Sequence, residues 1–121
     1  MATILICDDE VPLRRLVVAT LDGLGHTLFE AEDGGRALEE IRARRPDLVV
    51  LDVMMPGHSG LDVLAEVRAD PTVAGTKVVV LTARAQHRDR DAALAAGADL
   101  FIAKPFHPHE LADAVQSLLT A

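Results

Sequence analysis

Leu48-Val49-Val50-Leu51-Asp52-Val53-Met54-Met55-Pro56 is the stretch on which the fold of this chain turns. An apolar run goes straight into a carboxylate and then into a Pro56-Gly57 turn. A strand with one wet face alternates apolar and polar residues. An unbroken apolar run instead suits a parallel strand covered by helices on both faces. Ile4-Leu5-Ile6-Cys7 and Val78-Val79-Val80-Leu81 have the same texture. Strands are therefore predicted over Thr3 to Cys7, Thr27 to Ala31, Leu48 to Leu51, Lys77 to Leu81 and Leu100 to Ala103.

Amphipathic segments fill the intervals. Leu13, Leu16, Val17, Leu21 and Leu24 recur at three- and four-residue spacing, the period of a helix with one apolar face. Pro12 suits its first turn, and Gly23 or Gly25 suits a left-handed cap at its end. Ala37, Leu38 and Ile41 form a second stripe that Pro46 ends; Val63, Leu64 and Val67 form a third. The segment from His87 to Ala96 is alanine-rich and weakly amphipathic, while Leu111, Val115, Leu118 and Leu119 make the last stripe behind Pro108. Strand and helix alternate throughout, which predicts an α/β domain with a parallel sheet. Right-handed crossovers make the sheet doubly wound, and the length suits five strands in the order 2-1-3-4-5, an order that spacing alone does not fix.

The 121 residues, half of them hydrophobic and 26% charged, suit one domain spanning residues 1–121 with a single core. No apolar run is long enough for a bilayer, and no membrane role is expected. The single cysteine excludes an internal disulfide, which points to a reducing, cytoplasmic setting. A net charge of -7 opposes direct binding to nucleic-acid phosphates.

In a doubly wound sheet, chemistry gathers beyond the carboxyl ends of the strands. Asp8, Asp9 and Glu10 follow the first strand, Asp52 closes the third, Thr82 closes the fourth and Lys104 follows the fifth. The second strand delivers nothing reactive. Carboxylates within about 4 Å of one another repel by roughly 4 kcal/mol per pair at an effective dielectric near 20, so the cluster asks for a divalent cation or a lysine. Magnesium takes oxygen ligands and keeps room for phosphate oxygens. Acids beside such a cation, with an ammonium and a hydroxyl nearby, form a site for receiving a phosphoryl group.

Asp8-Asp9, Asp52 within Leu51-Asp52-Val53-Met54-Met55-Pro56, Gly60, Thr82-Ala83 and Lys104-Pro105-Phe106 together resemble the receiver domain of two-component response regulators, from Ile4 to the final helix. The resemblance implies a flavodoxin-like, CheY-like (βα)5 fold and a phosphoacceptor role for Asp52. It implies magnesium, with manganese able to substitute, bound by Asp8, Asp9, Asp52 and the main-chain carbonyl of Met54, Asp8 acting through water. Thr82 and Lys104 would contact the phosphoryl oxygens, and Lys104-Pro105 would be cis. Phe101 matches an aromatic switch position, which here has no hydroxyl. The implied partners are a histidine kinase or phosphotransfer protein and a downstream target or an output domain that this chain does not contain. A homodimer would use the face built from the fourth helix, fifth strand and fifth helix. The domain would catalyse only its own phosphorylation and dephosphorylation. Met54 and Arg84, two residues after Asp52 and Thr82, are poor orienters of an attacking water, so slow loss of the phosphoryl group is expected.

Blander readings exist for each residue. The three acids after the first strand could cap a helix, Asp52 could be a turn residue, Thr82 an ordinary strand residue and Lys104 a solvated charge. Cys7 reads as core. His26, His58 and His87 read as solvated, and His107-Pro108-His109-Glu110 as a helix start rather than a zinc site. A magnesium-dependent phosphatase with Asp52 as nucleophile would need a second acid where Met54 stands. A flavin- or nucleotide-binding protein is disfavoured by the acidic first loop and the lack of Trp and Tyr. The remaining alternative is a pseudo-receiver that docks or dimerises without phosphorylation.

Overall fold

In a computed structural model the chain forms β1 (Thr3–Cys7), α1 (Val11–Asp22), β2 (Thr27–Ala31), α2 (Gly34–Arg44), β3 (Leu48–Asp52), α3 (Gly60–Ala69), β4 (Lys77–Thr82), α4 (His87–Ala95), β5 (Leu100–Ala103) and α5 (Pro108–Thr120). The structure describes residues 2–53, 55, 59–82, 87–104 and 106–120, with only the backbone of 82 and 87–89. All strand pairs are parallel, in the order β2-β1-β3-β4-β5. The expected strands are present, β3 and β4 each running one residue further, to Asp52 and Thr82.

Burial explains the unbroken apolar runs. Every residue of β3 is buried, whereas β2 at the sheet edge is mostly not. Alternate residues of each strand face opposite layers. Leu5, Cys7, Val49, Leu51, Val78 and Val80 pack with apolar residues of α2, α3 and α4. Ile4, Ile6, Leu48, Val50, Val79 and Leu81 pack with Val17 and Leu21 of α1 and Leu111 and Val115 of α5. Among the described side chains of the weakly amphipathic α4, Ala93 alone joins the buried core, while Leu94 is 40% exposed.

Local signals set the helix ends. The Asp33 carboxylate accepts from the Arg36 N–H at 2.8 Å and starts α2. Pro46 disfavours helical backbone at the residue before it, and Arg45 leaves the helix in the left-handed region at φ 48°. Ser59 and Asp62 form a reciprocal capping box on α3. After α1 it is Gly25, at φ 82°, that takes the left-handed conformation, while Gly23 stays right-handed. His26 is more than a solvated loop residue. Its Nδ1 accepts from the Ala2 N–H at 3.1 Å and its Nε2 lies 2.8 Å from Gln116 Oε1, tying the start of β1 to α5.

Candidate functional site

The parallel register brings the strand exits to one edge. Cys7 pairs with Leu51 and Asp52 pairs with Leu81, so Asp8 and Asp52 emerge side by side. Lys104 follows β5 and reaches back across the mouth of the sheet. Its Nζ lies 3.1 Å from Asp52 Oδ2 and 3.4 Å from Asp8 Oδ2. These side chains are almost fully covered, with exposures of 12% for Lys104, 2% for Asp52 and 3% for Asp8.

Around this pair lies an acidic nest. One carboxylate oxygen from each of Asp8, Asp9, Glu10 and Asp52 falls within 4.8 Å of all the others, the first and last buried and the middle two exposed. A single lysine cannot balance four carboxylates, and an all-oxygen donor set of this density suits a hard divalent cation such as magnesium or manganese. The donor chemistry therefore fits the expected metal. Glu10, which the resemblance does not place among the ligands, joins the cluster.

Helix capping does not account for these acids. Glu10 is the N-cap residue of α1, yet its side chain makes no capping hydrogen bond. Asp8 Oδ1 instead accepts from the Glu10 N–H at 2.9 Å, which turns the loop tightly above β1. Beneath it, burial pushes the Cys7 thiol well above its ordinary range, and the charge of Asp8 pushes in the same direction. Cys7 is thus a core residue, as expected.

Thr82 ends β4 opposite Ala103, one register position beyond the Asp52–Leu81 pair; its side chain lies outside the described residues. So do Met54 with its carbonyl, the Pro56-Gly57 turn, His58, Ala83, Arg84, Pro105 with its expected cis bond, and the His87 ring. Phe101 is half-buried against the α2-α3-α4 layer. The His107 and His109 rings stack with centroids 5.5 Å apart on the exposed start of α5, and no metal-ligating cluster includes them among the described residues.

Sequence reasoning missed two residues, Arg14 and Glu30. Arg14 Nη1 donates to the main-chain carbonyl of Asp8 at 2.7 Å, and Nε donates to Glu30 Oε1 at 2.8 Å. The only hint was an arginine four residues after Glu10, one helical turn along α1.

Residues 4–116 match the family model described as the response regulator receiver domain. The chain is 37% identical over 117 residues to the phosphate regulon transcriptional regulatory protein PhoB of Pseudomonas aeruginosa, covering 97% of this chain and 51% of that protein. It is 41% identical over 116 residues to the DNA-binding response regulator MtrA of Mycolicibacterium paratuberculosis, covering 96% and 50% respectively. The chain thus spans about half the length of the curated relatives it matches. A crystal structure of a response regulator from Chloroflexus aurantiacus superposes with a TM-score of 0.95 at 32% identity, over 99% of this chain and 98% of that one. With its strand order, its acidic strand exits and these likenesses taken together, the chain belongs to the response regulator receiver domain family of two-component signalling.

Proposed function

We propose that the chain is a phosphoacceptor signalling domain that receives a phosphoryl group on Asp52. The observation that carries this reading is the placement of Lys104 Nζ 3.1 Å from Asp52 and 3.4 Å from Asp8 inside the acidic cluster. A carboxylate oxygen of Asp52 bonds to phosphorus as the bond from phosphorus to the donor's leaving atom breaks. With a phosphohistidine donor that atom is an imidazole nitrogen, which leaves with a proton. Lys104 sits where it can neutralise negative charge on the incoming oxygens, in a covered site where such contacts are strong.

Asp8, Asp9 and Asp52, with Glu10 beside them and the Met54 carbonyl by resemblance, are the residues that would hold magnesium or manganese. When bound, the cation supplies charge neutralisation for the carboxylates and the transferring group. Thr82 is assigned a phosphoryl hydrogen bond, and with Phe101 a role in switching, also by resemblance. Switching is then a shift in population toward the conformation in which Thr82 and Lys104 contact the new oxygens.

The donor partner is a histidine kinase or a phosphotransfer protein. The receiving partner is a downstream protein or an output domain. A second copy would dock on the α4, β5 and α5 face, where Leu94 is exposed. No helix among the described residues is long and apolar enough to cross a membrane, and the lone buried Cys7 suits a cytoplasmic setting.

The test is the intact mass of the protein after incubation with a small-molecule phosphodonor. Mass is the practical readout because Trp is absent. A single phosphoryl adduct is expected with magnesium, and none with chelator or in Asp52→Ala. Folded protein that takes no adduct under any condition would instead be a docking module.

A further inference from the structure

We infer that Arg14, held by Glu30, is the positioning residue of the acidic loop and sets its affinity for the divalent cation. This rests on the reading of Asp8, Asp9 and Asp52 as metal-binding acids. All four polar groups of Asp8 are engaged. Its N–H donates to the Ala31 carbonyl at 3.1 Å, and Oδ1 accepts from the Glu10 N–H at 2.9 Å. Oδ2 faces Lys104 Nζ at 3.4 Å, and the main-chain carbonyl accepts from Arg14 Nη1 at 2.7 Å. That last bond is the one made by a side chain from α1.

The carbonyl of Asp8 lies in the same rigid peptide plane as the N–H of Asp9. Fixing that carbonyl fixes the position of the Asp9 Cα, and the Glu10 N–H held by Asp8 Oδ1 limits the backbone rotation left at Asp9. Among the described residues no hydrogen bond or ion pair holds the Asp9 carboxylate, so the backbone beneath it is what the fold supplies to place it. Arg14 also donates its own N–H to the Glu10 carbonyl at 2.9 Å, so one residue anchors both ends of the loop.

Glu30 completes the device. It lies on β2, the strand that offered nothing reactive in sequence, and accepts from Arg14 Nε at 2.8 Å. A planar guanidinium can serve a carbonyl and a carboxylate at once, which a lysine ammonium does less well. The Arg14 side chain is 14% exposed and that of Glu30 is 47% exposed. The edge strand thereby orients the arginine, and the arginine orients the loop.

The experiment is a calorimetric magnesium titration of the wild type, Arg14→Gln, Arg14→Lys, Glu30→Gln and Val67→Ala, each also assayed for the Asp52 adduct. Supporting partners of metal ligands commonly matter about 10-fold or more in affinity, and Arg14→Gln is expected to weaken magnesium binding by about that factor. Glu30→Gln and Arg14→Lys should fall between it and the wild type. Val67→Ala, a buried position in the last turn of α3, should lose stability and keep the wild-type affinity. If Arg14→Gln does not fold, the half-exposed Glu30 position carries the test. Wild-type affinity in the Arg14 and Glu30 variants, or an equal loss in Val67→Ala, overturns the inference. A wild type that binds magnesium through this ladder but forms no adduct overturns the phosphoacceptor reading and upholds the role of Arg14. A wild type that binds no magnesium overturns both.

Discussion

Lys104 and Asp52, the one following the last strand and the other ending the central one, meet with Nζ 3.1 Å from Oδ2 and with both side chains nearly removed from solvent. Removing the cation from a buried ion pair commonly costs about 3–5 kcal/mol. Here Asp8 would lose its lysine contact as well, keeping the Glu10 N–H on Oδ1.

Lys104→Met keeps the apolar stem and strips the charge. Without metal it should lower the unfolding free energy by about 3 kcal/mol. A divalent cation that binds the same acids should then stabilise the variant more than the wild type, by mass action on the folded state. Urea unfolding with and without magnesium reads both effects. A gap between variant and wild type that ignores magnesium would show that lysine and metal do not share the carboxylates.

Asp9 has the opposite balance. It is exposed, faces three other acids and has no lysine contact of its own among the described residues. Asp9→Asn should therefore raise the stability of the metal-free protein by about 1 kcal/mol or less, the scale of a like-charge contact near water. The same substitution should shrink the thermal stabilisation given by magnesium. Unchanged stabilisation would remove Asp9 from the ligand set.

Gly60 opens α3 directly against the loop that follows Asp52. A Cβ there would lie 2.7 Å from Val53 Cα and 2.9 Å from the Asp52 carbonyl carbon, both backbone atoms that cannot rotate away. Gly60→Ala should cost about 1–3 kcal/mol, the range for overpacking. It should also slow adduct formation on Asp52, because the backbone that moves is the one carrying the proposed phosphoacceptor. Wild-type stability and rate together would contradict the close approach.

The parts of this molecule that were legible in sequence are those written in period and position. Val49, Val50, Val79 and Val80 announced covered parallel strands because burial on both faces removes the polar half of the alternation. Asp8, Asp52 and Lys104 were legible because a residue at a strand's exit needs no side-chain geometry to be placed. Contacts that depend on reach were not legible. Arg68, which the sequence reading passed over, donates to the carbonyls of Gly97, Ala74 and Thr76 and to Asp99, stitching the end of α3 to the starts of β4 and β5. Arg14 was hidden for the same reason: nothing in its spacing tells that its guanidinium turns back to a main-chain oxygen. Backbone acceptors carry no sequence signature.

Asp70 gives a prediction in pH. The hydroxyl of Thr72 donates to its Oδ1 at 2.7 Å and the Thr72 N–H at 3.0 Å, while Arg42 donates to Oδ2 at 3.3 Å. The Thr72 hydroxyl first, then the Thr72 N–H and Arg42, hold the Asp70 carboxyl below its ordinary range. A carboxyl that is more acidic in the folded chain than in the unfolded one stabilises the fold while both forms are ionised. That contribution is complete above the unfolded pKa, about 3.9 for aspartate. It fades as pH falls through the lower folded value, because the proton then binds the unfolded chain first. Asp70→Asn should therefore be less stable than the wild type at neutral pH, with a gap that stays constant down to about pH 5 and closes below about pH 4. Urea midpoints of the two proteins across that range decide the matter. A gap that persists undiminished in acid would mean that the Asp70 turn stabilises the α3–β4 connection through shape alone, with no part played by its charge.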